Sequence, residues 1–72
     1  MKATIEETAH LTRDEKNAVS IIAKTIEHQT RNLTDAKVWM QDLKGWFIYQ
    51  GGNHLALHKA SSDPRRIMLV TI

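Results

Sequence analysis

The sequence contains no cysteine, one proline and three glycines among its 72 residues. Without cysteine the chain can form neither a disulfide framework nor a thiolate metal site, which suits a reducing compartment. No apolar run approaches the length of a membrane span, and the N-terminal residues lack the apolar stretch of a secretory signal. These absences predict a cytoplasmic protein without a membrane contact.

Charge and size set further bounds. A length of 72 residues predicts one domain, residues 1–72, with a modest core that a partner or homo-oligomer formation would stabilise. A formal net charge of +2 does not by itself mark a nucleic-acid binder. The acidic residues are concentrated in the first half, so the basic side chains of the second half form either a polyanion site or a solvated sheet edge.

The spacing of apolar residues predicts a first helix at about residues 13–29. Thr12 and Glu15 match a capping box immediately before it, since the threonine can accept from the Glu15 amide. One face of this helix carries an apolar stripe with the 3.6-residue period of a core-facing helix. The stripe consists of Val19, Ile22, Ala23 and Ile26.

A second, shorter helix is predicted at roughly residues 34–44. Asn32 or Thr34 can cap its N-terminus, and Gly45 is suited to end it because glycine adopts the left-handed conformation without strain. Trp39 lies on its apolar face and is expected in the core, where a large aromatic ring contributes most.

Three strands are predicted after Gly45, at residues 46–49, 53–59 and 66–72. Aromatic and β-branched residues favour the first, and strict alternation favours the second. Gly51 and Gly52 between them are expected to supply the positive φ angles of a tight hairpin turn. Short loops then predict an antiparallel arrangement of consecutive strands.

The predicted fold class is therefore α+β, with two helices followed by a three-stranded antiparallel sheet. The helices are expected to pack on one face of the sheet. Residues 1–11 show weak periodicity and are expected to be either a loose arm or a short edge strand.

His54 is the candidate catalytic residue because imidazole both donates and accepts protons near neutral pH. Gly51 and Gly52 would let a backbone phosphate approach it without a Cβ clash, and Asn53 adds a side-chain amide. The plainer interpretation is an exposed histidine near a turn that has no chemical task.

A metal site is not expected. His54 and His58 lie on the same strand face about 13 Å apart, too far to ligate one metal ion. His10 and His28 are expected at the surface. No phosphate loop, nucleophile elbow or cysteine nucleophile is present, so histidine-centred acid–base chemistry is the enzymatic option left and no cofactor is implied.

Aromatic residues offer a further interpretation. Trp46 or Tyr49 could be partly exposed, where such rings stack on unpaired bases. In a domain this small, aromatic side chains are more often part of the core.

Three segments resemble the HicA family of toxins from toxin–antitoxin pairs. Residues 35–46, DAKVWMQDLKGW, resemble the family's short amphipathic helix that ends at a glycine. Residues 51–57, GGNHLAL, resemble its turn with a histidine before alternating apolar residues, and residues 65–70, RRIMLV, resemble its basic loop and apolar third strand. The similarity covers about residues 33–72.

This resemblance implies a double-stranded-RNA-binding-like fold and metal-independent cleavage of mRNA, with a HicB-like antitoxin protein as partner. The family's catalytic histidine falls on His54. Gly51, Gly52 and Asn53 would then contact RNA, together with three basic residues that could hold phosphates and offset developing charge. The three basic residues are Lys59, Arg65 and Arg66.

Two departures from the family leave alternatives open. The family continues past the third strand into a C-terminal helix, whereas this sequence has its additional helix at residues 13–29, and Gly52 takes the place of a serine. Either the first helix packs where the missing helix would lie, or the fold serves binding alone. The alternative function is a small non-enzymatic protein, encoded by a phage or plasmid, that binds and inhibits a host factor. A sequence-tolerant nucleic-acid binder is a third.

Overall fold

A computed structural model describes residues 1–72 and contains two helices and four strands. Their order along the chain confirms the α+β class. The elements are β1 (Lys2–Ile5), α1 (Arg13–Gln29), α2 (Leu33–Met40), β2 (Phe47–Gln50), β3 (His54–His58) and β4 (Met68–Thr71).

The sheet has four antiparallel strands in the order β1-β4-β3-β2, so the prediction of three strands was wrong. The fourth strand comes from the N-terminal segment, which is an edge strand and not a loose arm. Its residues pair in register with β4, from Lys2 opposite Thr71 to Ile5 opposite Met68. The segment is too short for its periodicity to be recognised, and its pairing depends on a strand more than 60 residues away.

Helix α1 begins where its capping box predicts. Thr12 Oγ1 accepts from the Glu15 amide (3.2 Å), and Glu15 Oε1 accepts from the Thr12 amide (2.8 Å). These bonds satisfy two of the N–H groups that a helix start leaves without intrahelical partners. The predicted stripe of apolar residues on α1 is buried.

Helix α2 begins as predicted but ends at Met40, four residues before the expected position. Asn32 Oδ1 accepts from the Asp35 amide (2.9 Å) and caps the N-terminus. After Met40 the chain tightens, because the Leu43 amide donates to the Met40 carbonyl only three residues back (3.1 Å). This tighter turn replaces the last helical turn that the sequence pattern predicted.

Both helices pack on one face of the sheet and enclose the main core. Nine buried residues form it: Ile22, Ala23, Ile26, Ala36, Met40, Leu55, Leu57, Met68 and Val70. Trp39 is half-buried and packs against this cluster, so the ring borders the core without being enclosed by it. Neither helix combines the length and the apolar character needed to cross a lipid bilayer.

The glycine that needs its conformational freedom is Gly45, with φ of 83°. It turns the chain from α2 into β2, and it is the one residue with positive φ. The expectation that Gly51 and Gly52 supply positive φ angles was wrong. The β2–β3 hairpin is closed instead by the Gly51 amide, which donates to the His54 carbonyl (2.9 Å).

This contrast between glycines predicts opposite responses to alanine. Gly45→Ala should destabilise the fold by about 1–2 kcal/mol, because an L-residue is strained at this φ. Gly52→Ala should change stability by less than about 1 kcal/mol, since no atom lies within 4 Å of the added Cβ. Denaturant unfolding of both variants measures the difference. Equal losses would contradict the assigned backbone conformations.

Candidate functional site

No helix or strand covers the face of the sheet opposite the helices, although the loop at residues 61–64 lies on its His58 end. Side chains alternate along each strand, so those of β3 that flank Leu55 and Leu57 point to this open face. The cross-strand register places side chains of β1, β2 and β4 beside them. The open face consists of Lys2, Thr4, Phe47, Tyr49, His54, Ala56, His58, Leu69 and Thr71.

His54 is half-buried at the start of β3, and its imidazole lies against the backbone of Gly51. A Cβ at residue 51 would lie 2.1 Å from Cε1 of His54, so only glycine leaves room for the ring there. Gly52 and Asn53 are exposed at the tip of the hairpin. The imidazole makes no hydrogen bond with another protein group, so no acid or base within the chain orients it.

The basic side chains predicted to act with His54 lie elsewhere. Lys59 follows His58 and points to the helix side of the sheet, where Nζ donates to the Gly45 carbonyl (3.1 Å). The same ammonium lies 3.5 Å from a carboxylate oxygen of Glu15 and 5.0 Å from the Trp46 ring centroid. Lys59 therefore stabilises the junction of α1 with the start of β2 and cannot share a ligand with His54.

The two arginines belong to the opposite end of the sheet from His54. Arg65 donates from Nε and Nη2 to the Asp63 carboxylate, at 3.0 and 2.8 Å, and Arg66 donates through its guanidinium to Glu6. Both arginines lie in the loop that follows β3. That loop begins after His58, about 13 Å along the strand from His54. The structure therefore does not assemble His54 with the three predicted cations.

A cavity of about 350 Å³ opens at the His58 end of the sheet, beside the loop at residues 61–64. Tyr49 Oη donates to the Ser61 carbonyl (2.9 Å), and His58 Nδ1 donates to the Asp63 carbonyl (3.2 Å). The Tyr49 and His58 rings meet edge to face with centroids 4.7 Å apart. These polar groups hold the loop on the sheet, which explains their placement without a bound ligand.

His10 borders the same loop and departs from the expected surface position. Both of its ring nitrogens are shielded from solvent without a hydrogen-bond partner, and Nε2 lies 3.8 Å from a carboxylate oxygen of Asp63. The side-chain and backbone N–H groups of Arg65 hold the pKa of Asp63 well below its ordinary value of 3.8. Asp63 thus links this loop to the N-terminal segment. His28, by contrast, is exposed as expected.

The outer edge of β2 is the least protected part of the sheet. Gly51 and His54 form a hydrogen-bonded pair, and such pairs alternate with non-bonded pairs along antiparallel strands. Ile48 and Gln50 therefore turn their backbone N–H and C=O groups away from β3. None of the turn, loop or side-chain hydrogen bonds involves these backbone groups.

A groove of about 390 Å³ runs between this edge and α2. Lys37 Nζ crosses it to donate to Gln50 Oε1 (2.7 Å). The groove is lined by Lys37, Gln41, Trp46, Phe47, Ile48 and Gln50. It combines an apolar floor with one cation and no carboxylate.

Comparison with known proteins does not place this chain in a family. No protein-family model, no curated protein and no solved structure matches this chain. The resemblance to HicA toxins thus remains a prediction, and the candidate surfaces rest on the geometry of this molecule alone.

The β2 edge and its groove were missed at the sequence level, although a signal was present. The strand Phe47–Gln50 contains no lysine, arginine, aspartate, glutamate or proline, the residues with which edge strands usually resist pairing. Nothing in the sequence, however, states which strand lies at an edge. That information comes only from the strand order.

The low pKa of Asp63 predicts a loss of stability in acid. A carboxylate whose pKa is lower in the folded state stabilises the fold above its ordinary pKa of 3.8, and this contribution is lost as pH falls through that value towards the folded pKa. Thermal unfolding from about pH 5 to about pH 2 should therefore show a smaller drop in midpoint for Asp63→Asn than for the unaltered protein. Asp63→Asn should also be the less stable of the two at neutral pH.

Asp42→Asn is the matched control for this prediction, because Asp42 is exposed and its carboxylate makes no hydrogen bond or ion pair. Its acid response should follow that of the unaltered protein. An Asp63→Asn profile parallel to the control would show that the Arg65–Asp63 contact does not form in solution.

Proposed function

We propose that this protein acts by binding another protein, whose extended segment pairs with the free edge of β2, and that it catalyses no reaction. The observation that carries this proposal is the difference between the two edges of the sheet. The β1 edge is protected and the β2 edge is open.

The β1 edge is covered from the helix layer. Helix α1 lies against β1, and the outward-facing amide of Ala3 donates to Glu27 Oε2 (3.1 Å). Lys2 adds a charge to the same strand, which discourages pairing with another chain. The equivalent groups on β2 have no such side-chain partner, and the side chains of Phe47 and Tyr49 remain 41% and 45% exposed.

An added strand could use both kinds of group. Ile48 and Gln50 together present two N–H donors and two carbonyl acceptors on the outer side of β2. At about 0.5–1.5 kcal/mol per hydrogen bond, a partner strand would gain about 2–6 kcal/mol from the backbone. Burial of Phe47 and Tyr49 would add to this, as it does where a peptide extends an exposed sheet.

The geometry around His54 supports binding over RNA cleavage. A general acid–base mechanism on a phosphodiester needs cations near the developing charge, whereas Lys59 lies across the sheet and Arg65 lies at its other end. This separation weakens the ribonuclease activity implied by the HicA resemblance, and the double-stranded-RNA-binding-like fold stays a hypothesis. Inhibition of a host factor fits a small domain that acts by covering a partner's surface.

Proline at residue 48 tests this function. Ile48→Pro should abolish partner binding because it removes an outward N–H without removing a β2–β3 hydrogen bond. Ile5→Pro is the matched control, because the Ile5 N–H also points outwards but at the β1 edge. Affinity of both variants for the purified partner, with unfolding curves to confirm their folds, measures the effect.

Hydrogen exchange on the reconstituted complex gives the second measurement. The amides of Ile48 and Gln50 should exchange at least about tenfold more slowly in the complex, while the amide of Ile5 keeps its rate. A partner that binds Ile48→Pro as tightly as the unaltered protein would contradict the proposal.

A second candidate function is binding of single-stranded RNA to the open face. Four ring-bearing side chains, Phe47, Tyr49, His54 and His58, lie on this face, where Tyr49 and His58 also hold the loop at residues 61–64. No carboxylate projects from it, and Lys2 is its one formal charge. Rings presented on a sheet are the means by which several RNA-binding domains stack unpaired bases.

Alanine substitutions distinguish this candidate. Phe47→Ala and His54→Ala should each weaken binding of a single-stranded RNA octamer by about 1–3 kcal/mol, while Lys24→Ala on α1 leaves it unchanged. The same samples, incubated with mRNA, test cleavage. Cleavage products that are absent with His54→Ala would support the ribonuclease function. They would also indicate a HicB-like antitoxin as the partner. No RNA binding by the unaltered protein would exclude this candidate.

A further inference from the structure

The groove beside β2 carries information about what binds there. Alternation places Trp46, Ile48 and Gln50 on the groove side of the strand and Phe47 and Tyr49 on the open face. Along the groove side, the Trp46 and Ile48 end is apolar, and the Gln50 end carries the Lys37 ammonium. A bound strand would therefore meet two different environments two residues apart.

The charge at the Gln50 end is not neutralised. Lys37 donates one hydrogen bond to the neutral Gln50 side chain and forms no ion pair. An ammonium has three N–H donors, so Lys37 can still contact a carboxylate. No acidic side chain lines the groove to compete for it or repel an incoming anion.

We propose that the segment bound at β2 carries an acidic residue opposite Gln50 and an aliphatic residue two positions later, opposite Ile48. This inference rests on the proposed function and adds the chemistry of the partner. The segment runs antiparallel to β2, which continues the pairing of the whole sheet. Its sequence pattern is acidic–any–aliphatic, with the middle side chain beside Tyr49 on the open face.

A second copy of this chain fits the groove less well. Antiparallel pairing of β2 with itself about Tyr49 would bring the two Gln50 residues to about 8 Å from each other, from the strand rise and spacing. Each Gln50 is bonded to its own Lys37, so two ammonium groups would approach with no carboxylate between them. Like charges oppose this pairing, whereas an acidic segment attracts the same group.

Two blocked peptides test the pattern. The first is acetyl-Thr-Glu-Thr-Val-Thr-Val-amide, and the second replaces its glutamate by lysine. Titrated into isotope-labelled protein at millimolar concentration, the glutamate peptide should bind about threefold to tenfold more tightly, the range expected for a partly exposed charge pair and its reversal. In Lys37→Glu the preference should invert in favour of the lysine peptide.

Lys44→Glu is the matched control. It makes the same change of charge just beyond α2, at an exposed residue that does not line the groove. This variant should keep the preference for glutamate. Unfolding curves of both variants show whether loss of the Lys37–Gln50 hydrogen bond has altered the fold.

The outcomes separate this inference from the function on which it rests. Inversion in Lys37→Glu alone supports the acidic pattern. Equal binding of both peptides, with slowed exchange of the Ile48 and Gln50 amides, overturns the pattern and leaves strand addition intact. Absence of any slowing overturns both. Concentration-dependent dimerisation that Ile48→Pro removes and Ile5→Pro does not would assign the edge to a second copy and overturn the acidic segment.

Discussion

The packing of α1 and α2 onto one face of the sheet is the contact on which the rest of the structure depends. Ile22 and Ile26 of α1 and Met40 of α2 bury their side chains against the central strands β3 and β4. In a chain of 72 residues, two helices are enough to cover one face and the β1 edge. The open face and the β2 edge are what this arrangement leaves uncovered.

The basic residues that were predicted to bind RNA have carboxylate partners within the chain. Lys59 and Arg66 contact the carboxylates of Glu15 and Glu6 in other parts of the chain, and Arg65 contacts Asp63 of its own loop. Exposed ion pairs contribute little stability individually, but here they occupy cations that a phosphate would need. His54 is left with the Gly51 backbone as its neighbour.

Local features were readable from the sequence with good accuracy. The capping box at Thr12, the cap at Asn32 and the alternation from His54 to His58 each depend on residues a few positions apart, so local spacing specifies them. Features that depend on neighbouring structure were missed. Helix α2 ended early because the chain tightened after Met40, and the left-handed glycine was confined to Gly45 because the hairpin at Gly51 closes without positive φ.

Sequence alone determined the α+β class, the two helices, three of the strands and the orientation of His54 away from Leu55 and Leu57, because hydrophobic periodicity and caps act over a few residues. Tertiary structure decided that residues 2–5 complete the sheet, that β2 is its open edge, and that Lys59 points away from His54. These last features depend on which distant strands pair and which face the helices cover. Such pairings are fixed by burial of the whole core, so no short stretch of sequence contains them.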